Sequence, residues 1–337
     1  MTIYINGISE SGGNAIFGDG DDGDVTINAD TSLSSDMFYN NLTIDSTKTL
    51  TVEGYRIYVK NTLTNNGTIR DTATSKNGSD ASGVNGGGVS STARNNMLRI
   101  LTGTLGSNGG TGGLGAGQNG VTGSTPSTDY EGFIVAVNGV QGGTGGSSGA
   151  TSGGSAGANG SASAVTSTNI PKALPHLGMW VITWNSSPLF IRAETTTGGS
   201  SGGGAGAGDG ANNGGNGGGG GGTGAGGGVI FIASKNIVNS GTISAIGGNG
   251  GNGAAATVGV GGNAGGGGGG GGGSGGNGGL IVLIYNNKSG SGTTNISGGT
   301  KGTGGAFGAG VGTGNPGIVG SDGNDGTDGY VVDLRNR

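Results

Sequence analysis

The chain contains no cysteine, which excludes disulfides and thiolate metal sites. It has only five prolines among 337 residues, and no Gly-X-Y period runs through the whole sequence, so it is not a collagen. Charged residues make up 10 % of the chain, with a net charge of −5. Its Lys and Arg residues form no cluster of the kind that binds nucleic acid. Hydrophobic residues make up 30 %, too few for the core of an ordinary enzyme domain.

Long apolar segments are missing as well. No apolar run approaches the ~20 residues that span a bilayer. The segment that follows Met1 lacks the basic and apolar regions of a signal peptide. We therefore expect no membrane insertion, and either residence in the cytoplasm or export without a signal peptide.

Glycine is abundant instead, and its 93 residues are unevenly distributed. Residues 1–75 contain 8 glycines, residues 76–197 contain 27, and residues 198–337 contain 58. This gradient predicts a strand-rich region at 1–75 and a Gly/Ser-rich region with apolar aromatic islands at 76–197. The third region, 198–337, is dominated by glycine and carries interleaved strand pairs.

A recurring segment links the first and third regions. Short alternating sequences such as Leu42–Ile44 predict half-buried strands. The segment Ile57–Ile69 aligns without gaps with Phe231–Ile243, and a looser copy starts at Gly279. Each copy reads as a strand, a polar turn, a second short strand and a glycine tract. The pattern predicts an all-β chain of short strands, arranged as a β-solenoid or a sandwich.

The glycine tracts have two physical interpretations. Gly/Ser-rich chains can be flexible linkers, because ordering glycine costs much backbone entropy. Alternatively, the tracts form polyglycine-II helices packed side by side, in which backbone groups of neighbouring helices bond to one another. Isolated hairpins between flexible linkers would be unstable, so the alternation of tracts with strand pairs favours the ordered arrangement. The sequence thus predicts a glycine-rich helical sandwich at 198–337, whereas part of 76–170 is a candidate for disorder.

Few residues suggest chemistry. His176 has no second His or Cys as a partner, and the acidic residues lie mostly in Asp-Gly turns, so we expect no enzyme, no catalytic residue and no cofactor. Two acidic clusters resemble cation-binding loops, but neither has the distal Glu of a calcium loop, and turns at strand entries are the favoured explanation. Their members are Asp19, Asp21, Asp24, Asp322 and Asp328.

The aromatic islands of the middle region are candidates for contact with a receptor or another subunit. Trp and Tyr are frequent anchors in binding surfaces. The alternative is that these side chains cap the end of the strand region. The candidates are Tyr130, Phe133, His176, Trp180, Trp184 and Phe190.

Two parts of the sequence resemble known virion proteins. The Gly/Asn/Ala/Ser tracts of 198–337 resemble polyglycine-sandwich adhesins at the tail-fibre tips of tailed bacteriophages. The N-terminal strands, with Gly18–Ile27 and Asn66–Ile69, look like the opening coils of phage proteins with β-solenoid stems. The resemblance implies a non-enzymatic protein of the virion surface, made in the host cytoplasm, whose loops contact a receptor at one end of the glycine sandwich.

The same resemblance implies the partners. They are other virion proteins and a host cell-surface receptor, either protein or glycan, with a homotrimer or a monomer as the assembly. A capsid or fibre decoration protein that stabilises the particle is the alternative function. An ice-binding protein is a further alternative from another class, disfavoured because the small polar residues of the tracts are placed irregularly.

Overall fold

The computed structural model describes residues 16–73, 75–88, 108–114, 118–122, 143, 145–146 and 214–336. It also describes the backbone of short strands at 2–5, 183–184 and 187–188. These residues contain strands and no α-helix, and all but two of the strands belong to parallel sheets. The described part of the chain is therefore of the all-β class, as predicted.

The larger sheet has eight strands, all of which pair in parallel. Its order is β1-β15-β12-β10-β6-β4-β2, and β13 pairs with β10. The strands are β1 (Thr2–Ile5), β2 (Asp24–Ile27), β4 (Met37–Ile44), β6 (Arg56–Asn65), β10 (Val229–Asn239), β12 (Leu280–Tyr285), β13 (Asn287–Ser289) and β15 (Tyr330–Asn336).

The smaller sheet has five parallel strands in the order β14-β11-β7-β5-β3. Between β2 and β14, the chain passes from the larger sheet to the smaller one and back again. The strands are β3 (Thr31–Ser32), β5 (Thr49–Thr51), β7 (Thr68–Arg70), β11 (Thr242–Ser244) and β14 (Thr293–Asn295). A separate antiparallel pair consists of β8 (Thr183–Trp184) and β9 (Ser187–Pro188).

The recurring sequence segments lie side by side. Strand β10 pairs directly with β6, although the whole middle region separates them in the chain. Leu63 lies opposite Ile237, as the alignment predicts, but Ile57 lies opposite Ile232 instead of Phe231. The register shifts between Ser234 and Asn236, where two residues of β6, Lys60 and Asn61, lie opposite one residue of β10. This extra residue in β6 makes the gapless alignment wrong in its first part.

Aliphatic side chains fill the space between the two sheets. In register across neighbouring strands, they form two ranks of almost completely buried residues. Burial of each such side chain contributes roughly 1.5–3 kcal/mol. A second cluster around Phe231 and Val282 covers the opposite face of the larger sheet at its centre, so β12 and the first half of β10 are buried on both faces. The ranks are Leu42-Leu63-Ile237 on the larger sheet and Leu50-Ile69-Ile243 on the smaller.

Five glycine-rich segments, here called legs, extend from the strands. Leg 1 (214–228), leg 3 (264–279) and leg 5 (314–329) lead into β10, β12 and β15. Leg 2 (245–259) follows β11, and leg 4 (296–311) follows β14. Odd and even legs run in opposite directions and bond to each other through their backbones at every third residue. Together they form what we call the glycine block.

Leg 3 lies at the centre of the glycine block, and all of its residues are buried. Its successive residues face different neighbouring legs, so its backbone groups find partners in three directions. The carbonyl of Gly268 accepts from Gly218 (2.9 Å), the N–H of Gly269 donates to Ile318 (2.9 Å), and the N–H of Gly270 donates to Ala254 (3.0 Å).

Asn and Asp side chains replace missing neighbours at the rim of the block. The Oδ1 atoms of Asn249 and Asn252 accept from the backbone N–H groups of Thr300 (2.9 Å) and Thr303 (2.8 Å). On leg 5, three aspartates spaced by three residues accept N–H groups of leg 4 in the same way. They are Asp322 (2.9 Å), Asp325 (2.8 Å) and Asp328 (3.1 Å).

A strained turn in the strand region gives the first testable prediction. Thr47 is exposed and has φ of 68°, a conformation that a β-branched residue adopts only at a cost and that asparagine tolerates. The substitution Thr47→Asn should raise the free energy of unfolding by about 1 kcal/mol in chemical denaturation. The same change at Thr68, which lies in β7, should lower it, because strands favour β-branched residues. Equal losses at both positions would show that the turn is not strained.

Candidate functional site

The end of the glycine block farthest from the sheets is formed by two short turns. Residues 260–263 join leg 2 to leg 3, and residues 312–313 join leg 4 to leg 5. Gly261, Gly262 and Gly312 have positive φ angles of 76°, 59° and 64°, which glycine adopts without strain. We call this end of the block the tip. It comprises the two turns and the three residues of each leg that lie nearest to them.

Backbone hydrogen bonds hold the tip in place. The N–H of Val311 donates to the carbonyl of Ala264 (2.8 Å), which links leg 4 to leg 3 where the turns begin. The N–H of Gly314 donates to the carbonyl of Val311 (3.0 Å) and closes the second turn. The tip loops are therefore short and tied to the block.

Exposed apolar side chains are concentrated at the tip. Val260 is 71 % exposed, and five other residues within or beside the tip have about half or more of their surface in contact with solvent. Such a concentration on a soluble surface is typical of a binding site for another molecule. These five residues are Leu114, Val258, Phe307, Ile318 and Val319.

Hydrogen bonds place these residues close together along the block. Gly259 donates to Ala309 (3.0 Å), and Gly317 donates to Gly308 (3.0 Å), so Val258, Phe307 and Ile318 lie at neighbouring levels along the legs. Leu114 follows Gly113, whose carbonyl accepts from the N–H of Gly217 near the tip end of leg 1 (3.1 Å).

Charged residues lie nearer the sheets. The Nζ atom of Lys301 is 3.0 Å from Oδ2 of Asp322, and both side chains are more than 40 % exposed. The N–H of Gly304, together with Lys301, holds the pKa of Asp322 below its usual value. Between this pair and the turns, the exposed side chains of legs 4 and 5 are uncharged. The exposed side chains of legs 4 and 5 at the tip are thus uncharged, whereas the charged side chains of these legs lie nearer the sheets.

Four of the five candidate cation ligands, Asp19, Asp24, Asp322 and Asp328, accept hydrogen bonds from within the chain. Asp24 accepts from the amides of Asn40 (2.7 Å) and Asn41 (2.9 Å), and hydrogen bonds from Asn41 and Asn40 lower its pKa. Oδ1 of Asp19 accepts from the N–H of Asp21 (3.2 Å). Asp322 and Asp328 accept N–H groups of leg 4, as described above. Within the described ranges, no three His, Cys, Asp or Glu side chains form a group that could hold a metal ion.

The aromatic candidates cannot be placed. Tyr130, Phe133, His176, Trp180 and Phe190 lie outside the described residues, and only the backbone of Trp184, in β8, is described. Their role in receptor or subunit contact stays a prediction.

The sequence interpretation missed the tip. Its signal was present, because glycine recurs at every third position from Gly314 to Gly329 in leg 5. Within this repeat, the residues between the glycines change from apolar Ile318 and Val319 to acidic Asp322 and Asp325. This change from apolar to charged residues along one repeat distinguishes the tip end of the leg from the end nearer the sheets.

Comparison of the chain with protein-family models, with curated proteins and with solved structures finds no match. Across the described part of the chain, no helix has the length and apolar character needed to cross a membrane.

Proposed function

We propose that this protein is a non-enzymatic adhesin of a bacteriophage virion, carried by the tail or its fibres, that contacts a host cell-surface receptor through the tip. The single observation that carries the proposal is the concentration of exposed apolar residues within and beside the tip of a backbone-bonded block. The resemblance of the glycine tracts to phage tip adhesins supports the same function.

The two sheets and the five legs make up a scaffold suited to this role. The stacked parallel strands, with ranks such as Leu42-Leu63-Ile237, are best explained as coils of a β-solenoid. The three-residue bonding period and the alternating directions of the legs are best explained as a polyglycine-II sandwich. At a rise of ~3.1 Å per residue, a leg of 15 residues would hold the tip ~45 Å from the sheets.

The mechanism is binding without chemistry. A receptor surface that covers Val258, Val260 and their neighbours removes apolar area from water, and each covered side chain contributes roughly 1.5–3 kcal/mol before the costs of association. The scaffold limits these costs because the turns are already ordered. Several copies on one particle would add avidity to a weak single contact.

The proposal is tested by adding charge to the tip. The double substitution Val258→Asp and Val260→Asp should weaken binding of the purified protein to host cells at least ~10-fold, because two carboxylates would lose hydration in the contact. Binding is measured directly and by competition with phage adsorption.

Asn252→Asp is the matched control. Position 252 lies on the same exposed rim of leg 2 as Val258, two turns away, and aspartate keeps the oxygen that accepts from Thr303. Binding should be unchanged. If the purified protein neither binds cells nor competes with the phage, and is found on the capsid, the adhesin function is wrong and a decoration protein takes its place.

A further inference from the structure

The two tip turns are connected to each other by a side chain. Oδ1 of Asn263, in the first turn, accepts from the N–H of Thr313 in the second turn (3.1 Å). The last backbone bond between these legs, from Val311 to Ala264, lies one step closer to the sheets. Asn263 therefore extends the connection beyond the backbone ladder and onto the turns.

Packing supports the same connection. Gly312 has φ of 64°, and a Cβ atom built on it would lie 2.5 Å from Oδ1 of Asn263 and 2.7 Å from the carbonyl oxygen of Gly262. The second turn thus rests directly on the first, with space for glycine alone. Both the hydrogen bond and this contact fix the distance between the two turns.

We propose that the two turns act as one composite binding unit, in which Asn263 is the positioning residue. This inference rests on the adhesive function proposed above. A receptor that spans both turns meets Val258 and Val260 on one side and Val311, Phe307 and Ile318 on the other. If the turns moved independently, binding would have to order them, and affinity would fall.

Asn263→Ala tests the inference. The variant keeps every tip side chain that is proposed to touch the receptor, and loses only the oxygen that holds Thr313. We expect faster hydrogen exchange at the Thr313 amide and about fivefold weaker competition with phage adsorption, the effect of one hydrogen bond of about 1 kcal/mol. Asn263→Asp retains the acceptor and should restore the protection of Thr313.

Asn249→Ala is the matched control, because it removes an equivalent bond from the N–H of Thr300 (2.9 Å) in the part of the block nearer the sheets. It should lower the melting temperature by a similar amount and leave binding unchanged. Normal binding by Asn263→Ala, with or without faster exchange, overturns the composite unit while the adhesive function stands. Absence of binding by the unmodified protein overturns both.

Discussion

The substitution Gly270→Ala is expected to lower the free energy of unfolding by about 3–5 kcal/mol, because it introduces an atom where leg 3 packs against three other legs. Gly270 donates to Ala254 in leg 2 and accepts from Gly305 in leg 4 (2.7 Å). A Cβ atom at this position would overlap the backbone carbonyl group of Gly219 in leg 1. The obstacle is backbone, which cannot rotate away as a side chain can.

Whether Gly270→Ala lowers or raises the free energy of unfolding shows which of two effects is larger, the loss of packing in the folded state or the reduced entropy of the unfolded chain. Glycine replaced by alanine usually stabilises a protein by about 0.4–1 kcal/mol when the native conformation tolerates alanine, because the unfolded chain loses freedom. At Gly270, the loss of backbone contacts exceeds this gain. The legs could accommodate the methyl group only by separating, which would break hydrogen bonds on both sides of the new atom.

Gly88→Ala is the control for this prediction. Nothing lies within 4 Å of a Cβ atom built on Gly88, and its φ is not in the positive region. Alanine there should be neutral or slightly stabilising. Chemical denaturation followed by circular dichroism measures both variants. If both retain the stability of the parent chain, the legs are not closely packed, and flexible linkers become the better description of the glycine tracts.

The strands could be predicted from the sequence because their signal is local. Alternation in segments such as Leu42–Ile44 identifies a buried face, and the recurrence of Ile57–Ile69 at Phe231–Ile243 indicates which strands are neighbours. The error of one residue at Ile57 arises from the extra residue in β6, between Val59 and Thr62, and nothing in the local pattern marks it. A sequence repeat indicates which strands pair. The position of an extra residue in one strand depends on the hydrogen bonding between the two backbones, which the repeat does not contain.

The tip could not be predicted from composition. Glycine content identifies material that can pack closely, but the partner of each leg is set by bonds between residues far apart in sequence, such as Gly218 with Gly268. The aromatic residues were predicted as contact sites because such residues are common anchors in binding interfaces. The exposed residues at the tip are mainly aliphatic, and their exposure follows only from the three-residue period that turns them outward from legs 2, 4 and 5.

Asp71→Asn is expected to have the second large effect, because it removes one member of a buried ion pair. Nζ of Lys76 lies 3.0 Å from Oδ1 and 2.9 Å from Oδ2 of Asp71, and the two side chains are only 9 % and 5 % exposed. Oδ2 also accepts from the N–H of Gly228 (2.7 Å), and Nζ donates to the carbonyl of Ile246. The pair thereby joins the end of β7 to the starts of β10 and leg 2.

The expected loss is about 3–5 kcal/mol, because asparagine can still accept from Gly228 but leaves the Lys76 ammonium buried without a counter-charge. Adding Lys76→Met removes that charge, so the double variant should be more stable than the sum of the single losses implies. Asp333→Asn breaks the more exposed pair with Lys288 (2.7 Å) and should cost at most about 1 kcal/mol. A loss at Asp71 no larger than this would mean that the pair is solvated.

The location of the pair makes the shape of the unfolding curve informative as well. The ion pair lies at one of the junctions between the sheets and the glycine block, beside Gly228 and Ile246, so this contact couples the aliphatic core to the backbone-bonded legs. In the parent chain, coupling of this kind favours a single cooperative transition. In Asp71→Asn, the glycine block should lose structure at a lower temperature than the sheets. Two resolved transitions in calorimetry would show that the ion pair transmits the stability of the sheets to the legs that carry the tip.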